Sequence, residues 1–575
     1  MPVRDRFLRG VVLFGVALLL ITEALSAFHA LTRIPLLIAW LLFLAALLPR
    51  CRFAIPRPSF RFDPVVALCA MGIATILTLT AITAAFSPPN SSDAMAYHMP
   101  RVIYWAEQHS VRFFPTPYLN QIMLQPLAEY LMLHTYILSG GDRFINFVQW
   151  FASVGSVIGV SAIAKEFGAK TRGQWIAALF CATLPSGILA SSGAKNDYFL
   201  AMWLTTAVYF AFRLAKSANW MDALFLGAAA GLALNTKATA YLFLPLAILA
   251  VLRPFRWRPL SAAAALALCL NAPQYARNFQ LSGSIMGFNS AQGDGVYRWQ
   301  NGYSGWKATV SNFLRNTGEQ LGARSEKWNT RVFDFVNRAH QALGINPNDP
   351  ATTWPYAQYT PPKNSNHEAD APNRFALFFL IVIAGVAAFR SRPQALYALA
   401  LFGGFVAFCF YLRWQPFMAR LFLPLFVLGS PLAAALEEWL RPPVLQIAAC
   451  LLLLDSSRLP TLENWVRPLR GPRNIFQVDR DTQYFADLTH LANVPRYQKT
   501  IREAEATHCD LIAVDISIFQ PEYPLLALIG EHNPKARFVH TNVHNPSARY
   551  APSVTGKPCA TVCLECRDTG NVTVP

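Results

Sequence analysis

Charged side chains are scarce in this chain of 575 residues. They make up 14% of it, against roughly a quarter of an average soluble domain. Acidic residues are fewer than basic ones, so the formal net charge is +17, while apolar residues reach 54% and the mean hydropathy is positive. This balance excludes an ordinary soluble protein. Repeated apolar stretches favour one polytopic membrane unit over a string of soluble domains.

Two further features are absent from the sequence. No internal repeat is evident, and no small-residue cleavage site clearly follows the first apolar stretch, Val11 to Phe28. That stretch therefore predicts an uncleaved first span rather than a secretory signal. The basic residues lie in short loops that flank apolar stretches, which is how membrane topology is set. We therefore reject nucleic acid as a partner, despite the positive net charge.

Membrane spans are predicted from apolar stretches of about 20 residues, within a range near 17–25. Several of the candidates are short. The 13 predicted spans are 11–29, 34–49, 64–86, 144–164, 174–192, 198–215, 220–236, 238–252, 259–275, 374–389, 394–412, 419–437 and 443–457.

The loops between these spans alternate between basic and non-basic. With the N-terminus inside, Arg and Lys residues concentrate on the cytoplasmic side, as the positive-inside rule requires. This pattern leaves two long outside loops, 87–143 and 276–373, and an outside tail from about residue 458. The tail contains three short runs typical of buried strands, Asp510–Ile516, Arg537–Thr541 and Thr561–Leu564. We therefore expect a small C-terminal α/β domain outside the membrane.

The first outside loop contains Asp93, a few residues after the third span. Transfer of a group onto a hydroxyl or amine needs a base, or a carboxylate that orients the nucleophile. Helix capping is the alternative explanation, because Asp is favoured at that position. Tyr97 and Arg101 follow at i+4 and i+8, on the face of Asp93, and an Arg there suits a lipid phosphate. His98 is either an interfacial polar residue or part of the same site.

Lys195 and Asp197 stand in a very short outside loop, immediately before a span. Charges this close to hydrocarbon are costly unless they are used or paired. They either act on a substrate or form a pair that caps the sixth span. More polar residues fall on the same predicted side, and together they suit an anionic leaving group, although each alone could be ordinary snorkelling. These residues are Lys237, Arg277, Asn278, Arg413 and Arg420.

Short motifs in this order resemble the GT-C superfamily of lipid-linked-sugar glycosyltransferases. The likeness is greatest to its bacterial branch, related to protein O-mannosyltransferases and 4-amino-4-deoxy-L-arabinose lipid A transferase. The motifs are Asp93 after an early span, Asn196-Asp197-Tyr-Phe-Leu-Ala, Thr236-Lys237-Ala, Pro273-Gln-Tyr-Ala-Arg277-Asn278 and Arg420-Leu-Phe-Leu-Pro424. Together they cover roughly residues 64–440.

The resemblance implies a polytopic α-helical enzyme of the bacterial inner membrane, with its site on the periplasmic side. A polyprenyl-phosphate sugar would be the donor, and a lipid, glycan or protein the acceptor. Asp93 would be the catalytic base or orient the acceptor, and it would work either alone or with Asp197. The donor phosphate would contact Arg277, Arg420 and Lys237, and the product would be an inverted glycoside.

The predicted spans and strands, together with the resemblance, divide the chain into three parts. Residues 1–63 would supply two additional spans and a basic cytoplasmic loop, 64–457 the catalytic membrane domain, and 458–575 the periplasmic α/β domain. Ala94 stands where many relatives have a second carboxylate, so the cofactor stays open; a divalent metal, if any, would have Asp93 and Asp197 as its ligands. A transporter or flippase for lipid-linked glycans is the alternative function, and a non-catalytic scaffold is a third.

Overall fold

The computed structural model describes residues 3–47, 62–288, 299–488, 493–517, 520–563 and 572–573. The predicted basic loop before residue 62 lies almost wholly outside the described residues. The first half of the described chain is helical, as α1 (Val3–Ala27), α2 (Arg33–Leu47), α3 (Pro64–Phe86), α4 (Met99–Glu107), α5 (Asn120–Met123), α6 (Leu127–Ser139), α7 (Phe147–Glu166), α8 (Thr171–Ala182), α9 (Pro185–Ala190), α10 (Asp197–Ser217), α11 (Trp220–Leu234), α12 (Ala240–Val251) and α13 (Trp257–Ser282).

The second half adds more helices and the only strands of the described residues. The helices are α14 (Trp306–Gln320), α15 (Glu326–Ala342), α16 (Arg374–Arg390), α17 (Arg392–Tyr411), α18 (Leu423–Gly429), α19 (Leu436–Trp439), α20 (Pro443–Leu462), α21 (Arg480–Gln483), α22 (Val494–Ala506) and α23 (Tyr523–His532). The strands are β1 (Leu511–Asp515), β2 (Arg537–His540), β3 (Ala560–Cys563) and β4 (Val572–Thr573). One π-helix, Ala94–His98, and three 3-10 helices, Ala419–Phe422, Ser430–Ala435 and Pro546–Arg549, complete the described elements.

Seven helical segments of the described residues are long and apolar enough to cross a membrane. These are Val3–Ala27, Pro64–Phe86, Phe147–Glu166, Asp197–Ser217, Arg392–Tyr411, Ala419–Trp439 and Pro443–Leu462. Three shorter apolar helices, α2, α11 and α12, also coincide with predicted spans. The other predicted spans fall on α8 with α9, on α13 and on α16. Helices thus form at every predicted stretch, and the number of 13 crossings stays a prediction.

Proline explains where several helices begin. Asp63 caps α3 by accepting hydrogen bonds from Val65 and Val66, and Pro64 occupies the first turn, where its missing N–H costs nothing. The predicted span 174–192 is broken, because α9 starts afresh at Pro185 after the extended Leu184. The span 419–437 likewise consists of short α and 3-10 pieces, two of which have Pro in their first turn.

Small residues allow the helices to approach closely around α10, which packs between α7 and α11. A Cβ at Gly155 of α7 would lie 2.5 Å from the sulfur of Met202 on α10. A Cβ at Gly227 of α11 would lie 2.5 Å from the carbonyl oxygen of Ala263 on α13. Close approach at a small residue is typical of membrane helix pairs. Helix α1 also packs on α7 and α11, so it belongs to the same bundle.

The C-terminal strands form a four-stranded sheet in the order β2-β1-β3-β4. β1 pairs in parallel with β2 and β3, and β3 pairs antiparallel with β4. β1, β2 and β3 lie within one residue of the three predicted runs. A disulfide joins Cys509 and Cys559, which precede the paired strands β1 and β3.

The sheet and α23 contact the first long loop directly. The Tyr104 hydroxyl of α4 lies 3.1 Å from Nε2 of His540 on β2, and the Phe538 N–H donates to Glu107 over 3.2 Å. Asp142, close before α7, accepts hydrogen bonds from the hydroxyls of Tyr484 and Tyr523. The loop 87–143 and the C-terminal region therefore share one end of the helical bundle.

Candidate active site

The carboxylate of Asp93 points toward other side chains rather than capping a helix. Asp93 has helical dihedral angles at the start of the π-helix, and its side chain makes no capping hydrogen bond. Nη2 of Arg420 lies 2.6 Å from Oδ2 of Asp93, and the Tyr97 hydroxyl donates to the same oxygen over 2.7 Å. The side chain is 24% exposed. Asp93 is thus held in place by a cation and a phenol while it stays accessible.

A second carboxylate lies beside the first. Asp197 is the first residue of α10, and its Oδ1 lies 2.5 Å from Nζ of Lys237, in the turn between α11 and α12. Asp197 is 3% exposed and Lys237 is 22% exposed. Arg420 is close enough to act electrostatically on both Asp93 and Asp197. The short loops that contain Asp197, Lys237 and Arg420 therefore come together beside Asp93.

A buried carboxylate from the second long loop joins this group. Oε1 of Glu368 lies 2.5 Å from Nζ of Lys195, and its other oxygen accepts a hydrogen bond from Arg467. Glu368 and Arg467 are almost completely buried. Gly193 allows this approach, because a Cβ there would lie 2.9 Å from Nη2 of Arg467 and 3.0 Å from Oε2 of Glu368.

The cluster contains four cations and three carboxylates, so it has a net positive charge. Burial would raise the pKa of Asp93, but the charges of Arg420, Lys195 and His98 hold it below its ordinary value. Burial would also raise the pKa of Glu368, and Lys195 and Arg467 lower it in the same way. Burial and the charge of Asp93 together raise the pKa of Tyr97 well above its ordinary value. At neutral pH Asp93 and Glu368 are therefore ionised, and Tyr97 is a hydrogen-bond donor.

The structure turns Arg101 away from this cluster. Its guanidinium donates to the carbonyls of Gln121, Ile122 and Leu124, and it shares Glu129 with His98. The predicted common face assumed an α-helix. The π-helix between them closes i→i+5 hydrogen bonds, so each turn takes more residues and rotates those that follow. Arg101 orders the loop behind the site.

Arg277 and Asn278 are likewise engaged elsewhere. Arg277 forms a two-pronged ion pair with Glu23 of α1, with N–O distances of 2.7 and 2.9 Å, and donates to the Tyr130 hydroxyl over 2.8 Å. The amide of Asn278 donates to the Met123 carbonyl.

Arg413 follows α17, where its backbone N–H donates to the Trp299 carbonyl over 2.9 Å. The ion pairs given above for Asp93 and Asp197 are with Arg420 and Lys237, whereas Arg277 pairs with Glu23.

Sequence reasoning missed Glu368, Arg467, Glu129 and Glu23. Glu368 stands six residues before α16 on the predicted outer side, and Arg467 follows α20 by a few residues. The criterion that selected Lys195 and Asp197, charge beside an outer helix end, could have found these two. Nothing local marks Glu129 or Glu23, because their partners are distant in the chain.

The arrangement does not fit a metal centre. Among the described residues no three His, Cys, Asp or Glu side chains group as a metal site requires. Both predicted ligands face cations instead, Asp93 facing Arg420 and Asp197 facing Lys237. A divalent ion between them would meet that positive charge, so we derive no step through a metal.

Comparison with known proteins agrees with the resemblance drawn from the sequence. Residues 125–275 match the family PMT_2, described as dolichyl-phosphate-mannose-protein mannosyltransferase, which confirms the predicted resemblance. No curated protein matches the chain.

Two solved structures are similar to this one. ArnT from Cupriavidus metallidurans bound to undecaprenyl phosphate is 13% identical, with a TM-score of 0.49 over 84% of this chain and 87% of that chain. The archaeal oligosaccharyltransferase AglB from Archaeoglobus fulgidus, in complex with an inhibitory peptide and a dolichol-phosphate, is 14% identical, with a TM-score of 0.45 over 80% of this chain. The similar region spans 63% of AglB, less than two thirds of its length.

Proposed function

We propose that this protein is an inverting glycosyltransferase. It moves a sugar from a polyprenyl-phosphate donor to a lipid, glycan or protein acceptor at the periplasmic face of the inner membrane. The observation that carries this proposal is the accessible carboxylate Asp93, held among Arg420, Lys195 and Lys237. The family matched by residues 125–275 supports it, because the family's description names a polyprenyl-type phosphate sugar and a transferase.

Asp93 and the cations divide the chemistry between them. The acceptor oxygen or nitrogen attacks the anomeric carbon from the face opposite the phosphate, and the bond from that carbon to the phosphate oxygen breaks. The acceptor proton passes to Asp93, and the phosphate leaves with one more negative charge. Arg420 and Lys237 stabilise that charge as it develops. Because its pKa is lowered, Asp93 is a weak base that orients the acceptor first and takes the proton as the new bond forms.

The remaining charges support these groups. Asp197 holds Lys237 at 2.5 Å and restricts where its ammonium can lie. Glu368 does the same for Lys195. Each pairing keeps a partly or fully buried cation compensated until an anionic substrate enters, which lowers the cost of an isolated charge beside hydrocarbon.

Substitution of Asp93 tests the proposal. Purified protein would be incubated with undecaprenyl-phosphate-linked mannose or 4-amino-4-deoxy-L-arabinose and a membrane extract as acceptor, and release of undecaprenyl phosphate measured. We expect Asp93→Asn to lower the rate by about 10²–10⁴-fold, the usual contribution of a positioned base, without a change in melting temperature.

Asp334→Asn is the matched control, because Asp334 is exposed on α15 and the substitution is the same. It should keep the full rate. A fully active Asp93→Asn variant would exclude the proposed role of this carboxylate. Movement of intact donor across a bilayer, without sugar release, would indicate a transporter instead.

A further inference from the structure

The segment that follows the last membrane helix contacts the residue next to Asp93. The Ser92 N–H donates to Oδ2 of Asp487 over 2.7 Å, and the Ser92 hydroxyl donates to the same oxygen over 2.9 Å. That hydroxyl also lies 3.0 Å from the Asp487 carbonyl oxygen. Asp487 therefore fixes both the backbone and the side chain of the residue that precedes the candidate catalytic carboxylate.

The same segment makes a second attachment two residues earlier. The Asn90 amide donates to the Gln483 carbonyl over 2.8 Å, and its oxygen accepts from Nη1 of Arg467 over 2.9 Å. Arg467 itself is fixed, because Asn464 accepts a hydrogen bond from its backbone N–H. Asn90 and Arg467 are both fully buried. The loop segment that leads into the π-helix is thus attached at two residues, Asn90 and Ser92.

The segment also reaches the second long loop. Oδ1 of Asp487, the oxygen not used by Ser92, lies 2.7 Å from Nε2 of His367. The neighbouring Glu368 accepts from Arg467 and pairs with Lys195. One carboxylate therefore joins two loops that are 275 residues apart at Ser92 and His367.

We infer that residues 464–488 form a brace that positions Asp93 for the transfer reaction, with Asp487 as its central positioning residue. Asp487 acts through Ser92 and does not touch the reacting groups. Without it, residues 464–488 hold the turn that carries Asp93 at Asn90 but no longer at Ser92, and the carboxylate is less well directed at the acceptor. A misplacement of about 1 Å can cost about 100-fold in rate. This inference rests on the proposed function for its kinetic consequence, although the brace itself has an independent readout.

Asp487→Ala and Asp487→Asn test the inference in the full-length protein, with the undecaprenyl-phosphate-sugar assay described above. The Ala variant should lower kcat by about 10- to 100-fold while the KM for the donor changes less than about twofold. The Asn variant should recover much of the rate, because its amide oxygen can still accept from Ser92. Asp481→Ala is the control, since Asp481 is an exposed Asp of the same segment; it should leave kcat unchanged.

Hydrogen exchange of the peptide from Ser87 to His98 gives the second measurement, which needs no activity. It should exchange faster in Asp487→Ala than in the wild type and the control. If the Ala variant does not fold, Asp487→Asn and Ser92→Ala replace it, with smaller effects of the same sign. Unchanged exchange, or unchanged kcat in a folded Asp487→Ala protein, overturns the inference. An inactive wild type would contradict the proposed function, and exchange would still decide on the brace.

Discussion

Single residues at the candidate site act in pairs of opposite charge. Arg420 is paired with Asp93 and also lies near Asp197, so it links the two carboxylates. This position gives it two tasks under the proposed function: it keeps Asp93 ionised before the reaction, and it meets the leaving phosphate during it. The first task can be measured without knowing the acceptor.

Replacement of Arg420 by Gln should shift the pH dependence of the reaction. The charge of Arg420 lowers the pKa of Asp93, so its removal raises that pKa, and Asp93 becomes protonated at a higher pH. We expect the acid limb of the kcat/KM profile to move up by about one to three pH units. Arg420→Lys should move it less. Arg331→Gln, an exposed Arg on α15, is the control. An acid limb that stays in place would show that Arg420 does not set the ionisation of Asp93.

The sequence pointed to several of the charged residues that the structure brings together, but not to their buried partners. Asp93, Asp197, Lys195, Lys237 and Arg420 could be selected because each charge stands at the outer end of an apolar stretch. Arg277 meets the same criterion and Arg101 was selected by its spacing from Asp93, yet the fold pairs them with Glu23 and Glu129. Which buried carboxylate meets which cation depends on tertiary packing, and a single sequence contains no such information.

At the scale of elements, apolar runs predicted where helices form, and local chemistry decided their interruptions. The sequence could have indicated the breaks at Pro185 and within 419–437, since proline removes a helical hydrogen bond and often interrupts a helix. The π-helix Ala94–His98 could not be predicted from the sequence. No local sequence feature favours its i→i+5 hydrogen bonds, which depend on the tertiary contacts around it. Close helix contacts, by contrast, are visible in the sequence as small residues one turn apart.

Gly227 on α11 provides a test of these contacts. An added Cβ would lie 2.5 Å from the Ala263 carbonyl oxygen and 2.7 Å from its Cα, and backbone atoms cannot move aside cheaply. Gly227→Ala should therefore lower the free energy of unfolding by about 1–3 kcal/mol, seen as a lower melting temperature in detergent. Gly385 on α16 has nothing within 4 Å of the same position, so Gly385→Ala should be neutral or slightly stabilising. Equal melting temperatures for both variants would contradict the packing described here.

At the scale of the whole molecule, one end of the bundle is built from regions far apart in the chain. The loop 87–143, the segment around Glu368 and the tail after α20 meet there. A division into 1–63, 64–457 and 458–575 stays a prediction, although α1 contributes Glu23 to the bundle and the tail contributes Arg467 to the site. Hydropathy alone separates membrane from non-membrane segments, and it cannot indicate how they return to contact one another.

The interface between α4 and the C-terminal sheet should depend on pH through Glu107. Burial raises the pKa of Glu107 to about 8 against the opposing effects of the Phe538 N–H and Arg537. Folded protein therefore holds a proton that unfolded protein releases near pH 4.5, its ordinary pKa. Stability falls as pH rises between these values, by up to about 1.4 kcal/mol per pH unit, and the loss stays constant above pH 8. Glu107→Gln removes this dependence. The melting temperature of the variant, relative to that of the wild type, should therefore rise as the pH is increased from 5 to 8. Glu503→Gln, at a partly exposed residue of α22, should show no such change. A constant difference between Glu107→Gln and the wild type would mean that the Glu107 carboxyl is ionised in the folded protein throughout.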